Sequence, residues 1–81
     1  MQHEYFVVMN SNAAPICSDT SSRFVLARTP AEALATACME YKHPAGLYSA
    51  AVYRDANAKE KGEPILAEWW GARARKERGI A

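Results

Sequence analysis

The chain has 81 residues and a formal net charge of +1, with 49% of its residues hydrophobic and 23% charged, the make-up of one soluble globular domain. A domain of this length buries only about 60% of its extended surface, which argues against a second core and against a deep, strained catalytic pocket. Its longest apolar runs fall far short of the ~18 residues that cross a bilayer, and its balanced charge is unlike the strongly basic footprint of most nucleic-acid domains.

Residues 1–10 carry Glu4 near the start and an apolar run only from Tyr5 to Met9. This lacks the basic start and small-residue cleavage site of a secretory leader, so a cytoplasmic location is expected. Within this stretch, residues 4–10 place Tyr5, Val7 and Met9 on one face and Phe6 and Val8 on the other, as in a central strand buried on both sides. Residues 11–22, rich in Ser, Asn, Asp and Thr with Pro15, read as a long loop or a wide hairpin end. They lead to a second strand over 23–28, the expected neighbour of the first.

Thr29-Pro30-Ala31-Glu32 is the clearest local signal: a capping hydroxyl, a proline suited to the first turn, and a glutamate that can reach back to the cap. Leu34, Ala37, Cys38 and Tyr41 follow at helical spacing as an apolar stripe, with Glu32, Thr36, Glu40 and Lys42 toward water. The helix is expected to end near His43, because Pro44 disfavours helical geometry there and Lys42 and His43 suit the negative end of the helix dipole. Residues 47–54 alternate with aromatic and β-branched content, predicting a third strand. Residues 55–63 are a polar link without apolar period, and 64–70 offer a fourth strand, so a hairpin with a solvated tip is expected. Ile65, Leu66, Trp69 and Trp70 also satisfy helical spacing after Glu63-Pro64, so 65–78 stays open between strand and helix.

The order β-β-α-β-β predicts a single α+β domain over 1–81, a four-stranded antiparallel sheet packed on one helix, with 72–81 a basic tail. One helix covers one sheet face. The other must be solvated, covered by the tail or matched to a partner.

Catalysis needs a nucleophile with its base, or an acid and base with shifted pKa values, and no such constellation is present. Cys38 lies on the core stripe and reads as a buried thiol, Cys17 as an exposed loop sulfhydryl. A zinc site would have to recruit His3 and His43 from distant segments, with no ligand pair at metal-binding spacing. Gly46, Gly62, Gly71 and Gly79 are isolated and fit no phosphate-cradling pattern. No enzyme activity, metal or cofactor is therefore expected.

Two features point to binding. Residues 72–81 carry Arg73, Arg75, Lys76 and Arg78 against Glu77, a net of +3 that leaves −2 on the remainder of the +1 chain. Directly after Trp69 and Trp70, these cations offer phosphate contacts beside stacking surfaces, a nucleic-acid-binding alternative. The plainer reading is that the tryptophans close the core and the arginines keep the chain end soluble. The second feature is the aromatic content, two Phe, four Tyr and two Trp, more than one helix can cover. The expected function is binding of a protein partner, or of another copy, through the open sheet face or an edge strand. Tyr48, Tyr53, Trp69 and Trp70 are its expected anchors.

The runs Thr29-Pro30-Ala31-Glu32-Ala33-Leu34, His43-Pro44-Ala45-Gly46-Leu47-Tyr48 and Ala51-Val52-Tyr53-Arg54-Asp55 resemble small proteins encoded by actinobacterial phages and their hosts. The resemblance spans roughly residues 23–70 and brings no catalytic residues with it. It implies a small cytoplasmic accessory protein that binds a host factor or phage nucleic acid.

Overall fold

The computed structural model describes residues 1–12 and 20–79. Cys17 and most of the loop expected over 11–22 lie outside the described residues. The elements run β1 (His3–Ser11), β2 (Thr20–Ala27), α1 (Pro30–Glu40), β3 (Leu47–Tyr53), α2 (Ala56–Glu60), β4 (Ala67–Trp70) and α3 (Ala72–Arg78). The strands form one antiparallel sheet in the order β2-β1-β3-β4. The expected α+β class, the central place of the first strand and its pairing with the second are all observed.

α1 starts as its sequence dictates. The Thr29 hydroxyl accepts the Glu32 N–H at 3.1 Å and Pro30 occupies the first turn, satisfying one of the orphan donors that every helix start leaves. It ends at Glu40, earlier than expected, where Tyr41 turns extended (φ −69°, ψ 130°) and its ring stacks on His43 at 6.2 Å. Lys42 and His43 are therefore outside the helix, and its last turn carries no basic residue. The turn back to β3 is closed by Gly46, whose φ of 83° suits a residue without Cβ.

The core lies between α1 and one sheet face: Val7, Met9, Val25, Ala27, Ala50 and Val52 from the strands meet Ala33 and Ala37 from the helix. Leu34, Cys38 and Tyr41 flank it as expected, while Ala33, which the sequence stripe omitted, is fully buried. Alanines at these positions let the helix backbone approach the sheet closely. The largest side chains below 2% exposure are Val7, Val52 and Ser11. The bulkier apolar residues Phe24, Leu26, Met39, Ile65, Leu66 and Trp69 stand exposed.

Two elements depart from the expected order. The polar link contains α2: Asp55 caps it by accepting the Ala58 N–H at 2.8 Å, Ala58 is 1% exposed, and Arg54 ties Asp55 and Glu63 together. Local capping thus makes a helix where apolar periodicity predicted none. The basic tail is also ordered, as α3 against β3, so the stretch left open resolves into a short strand followed by a helix. Among the described residues three helices, not one, accompany the sheet, and α2 overhangs part of the face that α1 leaves free.

Candidate interaction face

The strand register assigns the open face row by row, because directly paired residues share a face. One row is Phe24, Phe6 and Tyr53; the next is Ser22, Val8, Ala51 and Glu68; the next is Thr20, Asn10, Ser49 and Trp70. Leu26 pairs with Glu4 at the near end. The Phe6 and Phe24 rings lie 5.2 Å apart, within the range of a favourable aromatic pair. In the polar row the Thr20 hydroxyl donates to Asn10 Oδ1 at 2.7 Å, and Asn10 Nδ2 donates to the Ser49 hydroxyl at 3.0 Å. This chain of hydrogen bonds crosses three strands and fixes the side-chain amide.

α2 divides the face. Lys59 overhangs a trough of about 400 Å³ floored by Val8, Ser49 and Ala51 and walled by Tyr53, Ile65 and Trp70. Lys59 and Glu60 also border a second hollow over Phe6, Val8 and Ser22. Val8 is 9% exposed beneath this cover. Beyond it, β2 is the sheet edge, and Phe24 and Leu26 are 52% and 60% exposed.

The four expected protein anchors do not form one patch. Tyr53 and Trp70 are half-buried on the open face. Trp69 pairs with Ala50 on the helix side of the sheet and is 37% exposed. Tyr48 is 3% exposed and unavailable as a surface anchor. It is the residue skipped where the β1–β3 register shifts between Asn10 and Ser11, and its hydroxyl donates to Glu77 Oε1 at 3.1 Å.

The nucleic-acid cluster is dispersed in the same way. Adjacent strand residues point to opposite faces, so Trp69 and Trp70 cannot make a single stacking platform. Arg73 donates to Glu77 at 3.0 Å and also binds the Asn12 carbonyl. The Arg78 guanidinium lies 4.6 Å from the Trp70 ring centre, a cation–π contact within the chain. Arg75 and Lys76 are exposed.

Sequence reasoning missed Phe24 and Leu26 as surface residues. Their alternation with Arg23, Val25 and Ala27 assigns them to one face; only the strand order shows that this face lies at an edge.

Hydrogen bonds from Arg73 and Tyr48 hold the Glu77 carboxyl below its ordinary pKa, against an opposing effect of partial burial. A lowered folded-state pKa gives stability that is present above the unfolded value and lost as pH falls through the folded one. Acidification through and below the ordinary carboxylate range is therefore expected to loosen α3 from Tyr48 and shift the Trp70 fluorescence. Glu77→Gln should flatten that part of the pH profile. Burial raises the Cys38 thiol pKa, which disfavours the reactive thiolate. His3 Nε2 lies 2.8 Å from the Arg54 carbonyl oxygen and His43 Nδ1 accepts the Ala45 N–H. No group of three or more metal-ligating side chains occurs among the described residues, and no helix among them is long and apolar enough to cross a membrane.

These features define a small α+β domain with one sheet face partly roofed and β2 as an edge strand that pairs with no further strand among the described residues. No protein-family model, curated protein or solved structure matches the chain.

Proposed function

We propose that this chain is a non-catalytic cytoplasmic binding protein whose open sheet face, along β2, receives a protein partner. The observation that carries the reading is the distribution of apolar bulk. The buried core is built from valines, alanines and a methionine, while Phe24 and Leu26 stand more than half exposed side by side on an edge strand. Large apolar side chains left in water at an edge gain stability when a partner buries them.

Charge favours protein over nucleic acid. The strands place Glu4 and Glu68 on this face, and of the cations over it Lys59 stands beside Glu60 and Arg78 lies on the Trp70 ring, so the face has no surplus of positive charge for a polyanion. The cations suited to phosphate, Arg75 and Lys76, lie on α3.

The test is affinity capture with the intact chain as bait, from nuclease-treated and untreated lysates. Replacing Phe24 and Leu26 together by serine should abolish capture of a protein partner, and reversing the charge of Arg75 and Lys76 should leave it intact. Capture that vanishes with nuclease and with charge reversal, and survives the serine pair, would establish the nucleic-acid alternative instead.

A further inference from the structure

We propose that the edge of β2 pairs antiparallel with β2 of a second copy of this chain, about a two-fold axis through Phe24. This rests on the reading of the β2 face as a contact surface and names its occupant.

Among the described residues, β2 carries only one of the devices that normally protect an edge, the single inward-pointing charge of Arg23. Among residues 20–27 there is no lysine and no proline, and the β1–β2 register runs unbroken from His3 opposite Ala27 to Asn10 opposite Thr20. Its one charged residue, Arg23, lies in the row of Val7, on the helix side, and is ion-paired with Glu40 at 2.6 Å. Such a strand invites another strand.

Symmetry narrows the register. Paired residues of neighbouring strands share a face, so β2 against its own copy must match even-numbered positions with even. The axis then passes through a residue, never between two. Two registers give the longest overlap. An axis at Arg23 would set the two Arg23 side chains against each other, a repulsive pairing. An axis at Phe24 sets ring against ring. It aligns residues 21–27 of both copies and joins the rows Tyr53–Phe6–Phe24 of the two sheets end to end, with Leu26 opposite Ser22 of the second copy.

Charge complementarity supports the same register. Arg28, just beyond β2, is exposed and has no ion-pair partner among the described residues, and neither has Glu60. Glu60 borders the hollow that Thr20 also lines. With the axis at Phe24, Arg28 falls opposite Thr20 of the second copy, within reach of that copy's Glu60, and the contact forms twice.

Sedimentation velocity over a concentration series tests this on the full chain. The wild type should form a concentration-dependent dimer, and Phe24→Glu should weaken it about a hundredfold while the circular dichroism spectrum stays native. Arg28→Glu and Glu60→Arg should each weaken the dimer about threefold to tenfold, and the double variant should recover most of that loss. A dimer indifferent to Phe24→Glu, or charge changes that add instead of compensating, would overturn the pairing. A chain monomeric at all concentrations that captures a different protein through Phe24 would also overturn it, leaving the binding face itself standing. A monomer that captures nothing would overturn both.

Discussion

Gly71→Ala is expected to lower the melting temperature by about 5–20 °C, the equivalent of roughly 1–3 kcal/mol of overpacking in a domain of this size. The backbone angle is not the reason: Gly71 has φ −70° and ψ 170°, a conformation open to any residue. The obstacle is space. A Cβ here would lie 2.7 Å from the Leu47 carbonyl oxygen and 3.2 Å from both the Tyr48 carbonyl oxygen and a Trp69 ring carbon. The nearest of these atoms are backbone of β3, and the Gly71 N–H already donates to the Tyr48 carbonyl at 2.8 Å, so neither side can give freely. Alanine stiffens the unfolded chain, which offsets about 0.4–1 kcal/mol. It is also a poorer helix cap than glycine, and Gly71 is the residue before α3. The net effect should remain destabilising and should reach α3 first, seen as an early loss of the Arg78–Trp70 contact in tryptophan fluorescence. A variant that melts within about 2 °C of the wild type would show that the exit from β4 is looser than its geometry implies.

The same corner shows how much of this molecule was legible in its sequence. β1, β2, α1 and β3 follow from period and capping, because each carries its own signal: alternation in Tyr5–Met9, the Thr29-Pro30 start, and Leu47 onward. α2 was hidden because its stability comes from one capping aspartate and one buried alanine, features too small to register as apolar periodicity. α3 was read as a solvated tail because its sequence is mostly charged. What docks it is a hydrogen bond from Tyr48 to Glu77 and the stacking of Arg78 on Trp70, contacts between residues far apart in the chain or on separate elements. The candidate site was half legible. That one sheet face lacks a full cover follows from counting elements, but which aromatics remain outside depends on strand order. Phe24 and Trp69 are equally apolar in the sequence; β2 lies at one edge, while Tyr48 falls at a register shift that turns it inward.

Ala33→Leu is expected to cost about 1–3 kcal/mol, a large part of the roughly 4–12 kcal/mol that holds a domain of this length together, and to lower the urea midpoint accordingly. Ala35→Leu, two residues away on the exposed side of α1, should change it by less than about 0.5 kcal/mol, since leucine is nearly as good a helix former as alanine. The contrast isolates packing from propensity. Ala33 is 0% exposed in one cluster with Val7, Val25 and Val52, so three added carbons at position 33 must lift the helix or displace strand side chains in a closely packed layer. Because α1 sits this close, the centre of the inner layer holds valines, alanines and Met9, with Tyr5, Leu34, Tyr41 and Leu47 packed only partly buried around it. Phe24 and Leu26 are carried on the outer face of the edge strand, where they need a partner to be dry. Equal urea midpoints for the two leucine variants would show slack beneath α1. The outward position of Phe24 and Leu26 would then no longer follow from packing, and the argument for a protein bound along β2 would lose its physical cause.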